Sequence, residues 1–131
     1  MKKVLSLIVA VTLLFASCSK ERKLNKRLDG QWEVVTVAQD GIAVSPSLYG
    51  MSMVFAFSKD KKDNGTVTMT YTYMGDSESE KGTYTLDKDE KITIKMESES
   101  TELTVDDYSK TDMTISYTED GDKVTYTLKK K

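Results

Sequence analysis

The chain has 131 residues, with 19 basic and 21 acidic side chains, a net charge of −2, one cysteine and no histidine. That length holds one domain with a modest core, and a single cysteine excludes an internal disulfide. Without histidine the commonest general base and metal ligand are missing, so no enzyme, metal centre or cofactor is expected, and the lysines and arginines form no basic stripe for nucleic acid.

The chain opens "MKKVLSLIVAVTLLFASCSK". Lys2 and Lys3 precede an apolar run that ends in small residues, the layout of a secretory leader over 1–17. At about 1.5 Å per residue, Val4 to Ala16 reaches roughly 20 Å, short of a ~30 Å hydrocarbon core. "FASC" resembles the lipobox of bacterial lipoproteins, with Phe15 where leucine is usual. The resemblance implies cleavage before Cys18 and lipid on its sulfur, which also removes the only thiol. Each buried acyl CH₂ contributes about 0.8 kcal/mol, so several chains (palmitate or similar) hold a protein to a bilayer. Ser19, where an aspartate would signal inner-membrane retention, points to the outer membrane and leaves open which face.

Residues 18–27 read as the lipidated cysteine and a flexible, mostly cationic spacer. The folded domain is expected over 28–131. There the dominant period is two. "TVTMTYTYM" sets Val67, Met69, Tyr71 and Tyr73 on one face and threonines on the other; "GTYTL", "KITIKM", "DMTISYT" and "KVTYTL" repeat the alternation. This pattern marks strands with one buried and one wet face. Eight are expected, near 31–38, 50–58, 66–74, 81–87, 91–97, 101–106, 111–118 and 122–130. "KDKKDNG" and "GDSESEKG" read as hairpin turns, the first closed by its Asn-Gly pair, and the acids of both as solvent-facing. The longest join, Gln39 to Gly50, contains the only proline.

Eight short antiparallel strands, each wet on one face, expose two edges if laid flat. Closing the sheet removes the edges and encloses the apolar faces. The expected fold is an eight-stranded antiparallel up-and-down barrel, with a two-sheet sandwich as the alternative. In the barrel the first strand pairs with the last. Trp32 then plugs one end, Gly30 turns the backbone inward before it, and a lysine at the chain's end, Lys129, covers the indole.

Leu28, Gly30 and Trp32 form an "LxGxW" start that resembles the lipocalin-like small barrels of bacterial lipoproteins. Thr111 and Asp112 match that family's turn before the seventh strand, with Met113 where an aromatic is usual. The resemblance implies a barrel with a loop, here Gln39 to Gly50, over an open mouth. It also implies a small-molecule ligand.

The inward face carries Phe55, Phe57, Met69, Tyr71, Tyr73, Tyr84, Tyr117 and Tyr126. Buried phenols need hydrogen-bond partners and methionine adapts to irregular shapes, so these residues suit a pocket for a small apolar or aromatic molecule. They could equally fill the barrel, leaving a non-catalytic interaction domain that docks on an envelope partner through Leu48 and Tyr49.

Overall fold

The computed structural model describes residues 20–97 and 99–131. The expected leader and Cys18 lie outside the described residues. Nine strands follow in order: β1 (Gly30–Gln39), β2 (Ile42–Val44), β3 (Met51–Lys61), β4 (Asn64–Tyr73), β5 (Asp76–Leu86), β6 (Lys91–Lys95), β7 (Ser100–Tyr108), β8 (Asp112–Glu119) and β9 (Asp122–Lys130). Consecutive strands from β3 to β9 pair antiparallel, and β1 closes the ring by pairing with both β3 and β9. Trp32 stands between Phe55 and Lys130 in that closure. The result is a closed eight-stranded barrel rather than a sandwich. The additional strand, β2, is a three-residue piece of the long join, folded back on Val37 to Gln39.

Alternation decides which side chains enter. Val67, Ile92, Ile94, Leu103, Val105, Ile115 and Leu128 are buried while their threonine and acidic neighbours stay at the surface. The hairpins at Asp40–Gly41, Met74–Gly75 and Asp120–Gly121 each have two consecutive residues at positive φ, the turn whose twist matches paired strands.

The hairpin expectations need two corrections. The "DSESE" acids are not a turn: β5 starts at Asp76, and Asp76, Glu78 and Glu80 pair across from Tyr73, Tyr71 and Met69. Asn64 and Gly65 are not the turn pair either. They lie in β4, and the chain turns at Lys62 and Asp63. Gly65 is needed where it stands. A Cβ there would lie 2.8 Å from the hydroxyl of Tyr84 and would also strike the Ser58 carbonyl.

The largest correction concerns the spacer. Residues 20–28 form a helix, α1. Lysine, glutamate, arginine and leucine are good helix formers, and Leu24 and Leu28, four apart, share one face. Both leucines and Asn25 are fully buried, so the helix docks by that face on one end of the barrel. Each buried leucine contributes roughly 1.5–3 kcal/mol. The folded unit therefore begins before residue 28.

Candidate ligand-binding site

The two ends of the barrel differ. At the α1 end, Trp32 is buried, and its Nε1 donates to the Leu28 carbonyl at 2.9 Å. The Tyr84 hydroxyl donates to Asn25 Oδ1 at 2.6 Å, and Asn25 Nδ2 donates to the Lys61 carbonyl at 2.7 Å. Every polar group introduced by the helix face thus has a partner, as burial requires. Burial, then the charge of Asp29, pushes the Tyr84 hydroxyl up to about 12.

The lysine over the indole is Lys130, not Lys129. Its Nζ lies 5.4 Å from the Trp32 ring centroid and donates to the carbonyls of Asp29 at 2.8 Å and Arg27 at 3.3 Å. One ammonium therefore covers the ring and neutralises the carbonyl end of α1. Period two selects it, since Lys130 shares a face with buried Leu128 whereas Lys129 points outward. Gly30, at φ +125°, makes room: a Cβ there would lie 2.9 Å from Lys130 Cε. The Thr111 carbonyl accepts from the Lys130 backbone N–H at 2.9 Å, tying the β7–β8 turn to this end.

Toward the other end the ladders part. The β5–β6 register reaches only from Leu86 up to Thr83, and the β7–β8 register only from Tyr108 up to Thr104. Beyond those rungs a half-open cavity of about 790 Å³ enters the barrel, a size that suits a small ligand. Phe55, Met69, Tyr71, Tyr117 and Tyr126 line it, together with Ile94, Met96 and Leu103.

Aromatic rings run from the sealed end to this cavity. Tyr84 meets Phe57 edge-on at 5.3 Å, Phe57 stacks on Phe55 at 6.0 Å, and Phe55 approaches Tyr126 at 6.4 Å. Tyr126 then meets Tyr117 at 5.7 Å, their hydroxyls 3.2 Å apart. Burial, then the hydrogen bond with Tyr117, then neighbouring charges that include Glu119, raise the Tyr126 hydroxyl well above its ordinary value. Burial raises that of Tyr71, with Glu80 and Tyr117 adding to it. Both phenols stay protonated at neutral pH, so each remains a hydrogen-bond donor.

Of the residues expected to face a ligand, five therefore share one cavity. Phe57 and Tyr84 do not: they sit in the sealed core below, Tyr84 engaged by the helix. Tyr73 stands 53% exposed at the rim. The expected cover is absent too, since no residue of the 39–50 join lines the cavity. Its 3₁₀ turn, Pro46–Tyr49, holds Leu48 80% exposed beside the mouth.

Sequence reasoning missed two groups. Leu24 and Asn25 were hidden in a cationic string, although Leu24 stands at i, i+4 spacing from Leu28 of the "LxGxW" start. Glu80 and Glu119 line the cavity; Glu80 was read as a turn acid although it continues the inward phase of Tyr84, and Glu119, just past the expected end of the strand at 118, continues that of Tyr117.

Residues 28–115 match the family described as the lipocalin-like domain. No curated protein matches the chain. Among solved structures, a redesigned β-barrel is similar at TM-score 0.56 and 24% identity, over 82% of this chain and 94% of that one. The siderocalin Ex-FABP, described as functioning through dual ligand specificities, is similar at TM-score 0.58 and 15% identity, over 80% of this chain and 74% of that one. A second redesigned β-barrel, bound to DFHBI, is similar at TM-score 0.52 and 21% identity, over 81% of this chain and 97% of that one. At these identities the likeness concerns the fold.

Proposed function

This chain belongs to the lipocalin-like domain family, and from that premise we propose that it is a lipid-anchored envelope protein whose barrel binds a small, flat, largely apolar or aromatic molecule. The carrying observation is the 790 Å³ cavity, walled by Phe55, Tyr71, Tyr117 and Tyr126. Ring faces and methionines supply apolar contact, and protonated phenols supply a few directional donors, the usual division of labour in such pockets. The α1 end is sealed, so the guest enters from the opposite mouth. The barrel carries no catalytic function in this reading. Similar barrels described as having ligand specificities or as bound to a small molecule support it.

Native mass spectrometry of the purified chain tests the binding. A co-purifying or added aromatic molecule is expected at one equivalent, with affinity lowered about tenfold or more by Tyr126→Ala. No bound species with any of a broad aromatic panel would count against it.

The anchor is tested separately. Cys18 acylation in the outer membrane predicts that Cys18→Ser shifts the protein from the membrane to the soluble fraction. Unchanged fractionation would remove the lipoprotein part and leave the binding part standing.

A second reading rests on the exposed lip. Leu48, Tyr49, Tyr73 and Met74 are all exposed large hydrophobics at that end, a patch that suits contact with an envelope partner. Crosslinking from position 48 in intact cells that recovers no protein would argue against it.

A further inference from the structure

The charge lining the cavity is one-sided. Five residues of its lining are acidic, Glu80, Glu99, Glu102, Asp106 and Glu119, and one, Lys123, is basic; Glu102, Asp106 and Lys123 flank buried Leu103, Val105 and Val124 and so take the outward phase. Glu102 shares its charge with Lys91 at 3.6 Å. Glu80 and Glu119 have no salt-bridge partner among the described residues. Each is placed by strand register on the inward phase, Glu80 opposite Met69 and Glu119 two residues beyond Tyr117. These two acids therefore lie on the same side of the sheet as the rings rather than across it from them.

From this arrangement we propose that the guest is a cation: a planar aromatic or apolar body carrying an amine or similar positive group. The inference rests on the ligand-binding reading above and names the class of ligand. Two attractions act together. The negative faces of Tyr117 and Tyr126 favour a cation over them, and the carboxylates of Glu80 and Glu119, exposed at the mouth, add a negative field that a half-enclosed cleft with low-dielectric walls concentrates. Burial is the main cause that raises the hydroxyls of Tyr71 and Tyr126, and Glu80 adds to the first and Glu119, last among its causes, to the second. An anion would meet the opposite field, and no basic residue of the lining takes the inward phase to receive it. A neutral ring would gain the apolar contacts but nothing from the acids.

Three flat probes of nearly one shape separate these cases: 9-aminoacridine, a cation at neutral pH; acridine, neutral; and acridine-9-carboxylate, an anion. Their binding to the full chain is read by fluorescence and by equilibrium dialysis. The cation is expected to bind about tenfold or more tighter than acridine, and the anion weakest. Raising the salt from about 20 to about 500 mM should narrow the gap between cation and neutral probe. In the doubly substituted Glu80→Gln, Glu119→Gln chain, shown to be folded by circular dichroism, the ratio of the two affinities should fall toward one. Equal binding of the cation and acridine overturns the charge preference while the ligand-binding reading stands. Tightest binding of the carboxylate does the same. Binding of none of the three overturns both.

Discussion

The two ends of this barrel are built from the same strands and the same alternating code, yet one is solid and the other hollow. At the α1 end, Leu24, Leu28, Trp32, Leu128 and Met113 are all buried, and the polar atoms of Asn25 are satisfied by the Tyr84 hydroxyl and the Lys61 carbonyl. At the mouth, the rings of Tyr71, Tyr117 and Tyr126 stand around open space. The difference teaches that a barrel's interior is decided by what closes its ends. Helix α1 and one indole displace water from the first. At the second, the sheet parts beyond Thr83 and Thr104, and inward-facing acids replace inward-facing aliphatics. A carboxylate needs solvent or a counter-charge, so it holds a space open where a leucine would fill it.

The strongest way to break this comparison is Trp32→Ala, expected to destabilise by about 3–5 kcal/mol in urea unfolding, because it empties a sealed site. Tyr117→Ala, at the hollow end, should cost markedly less since its surroundings are already open. Equal losses would mean the ends are not different. Leu24→Ala comes next, at about 2–4 kcal/mol. A neutral result would show that α1 is an ornament rather than part of the fold.

Tyr84→Phe sharpens the contrast through pH. It leaves Asn25 Oδ1 buried without its donor, at a cost of about 1–3 kcal/mol near neutrality. The phenol has an ordinary value of 10.0 and is raised to about 12 in the folded chain. The unfolded chain loses this proton first, so the contribution is fully present below pH 10 and is lost as pH rises from 10 to 12. A shift of that size corresponds to about 2–3 kcal/mol. The variant should lose that part of the alkaline slope, as measured by the buried Trp32 fluorescence during denaturation.

Lys130→Met keeps the apolar stem but removes the ammonium from the indole and from the Arg27 and Asp29 carbonyls, with an expected loss of about 1–2 kcal/mol. Lys129→Met, outward-facing, should change little. The smallest effect lies at the mouth. Met74 is exposed and holds φ at +50°, so Met74→Asn, better suited to that turn, should stabilise by about 0.5–1 kcal/mol. Calorimetric melting resolves a change of that size.

How far the molecule was legible depends on which interaction wrote each part. The strands were legible because burial on one face imposes period two locally, and "TVTMTYTYM" or "KVTYTL" shows it within a few residues. Closure followed from the cost of open edges, and the position of Trp32 at one end followed from pairing the first strand with the last. The choice of Lys130 over Lys129 needed only the parity of Leu128, which was available and not used. The helix was obscured because cationic residues dominate 20–27, and two leucines with one asparagine become a docking face only when a hollow barrel end lies beside them. The acids of β5 were read as a turn because charged residues in short runs usually mark one; they do face water, but from within a strand, and Glu80 does so on the inward phase at the cavity.

By itself, then, the sequence determined the strands, their faces and the number needed to close a ring, since side-chain parity and backbone pairing act between neighbours. Which end is stoppered, which aromatics line the cavity and that Glu80 and Glu119 line it with them were decided only by the tertiary structure. Those outcomes depend on where ladders separate and on which distant segment, α1 above all, comes to lie against the opening.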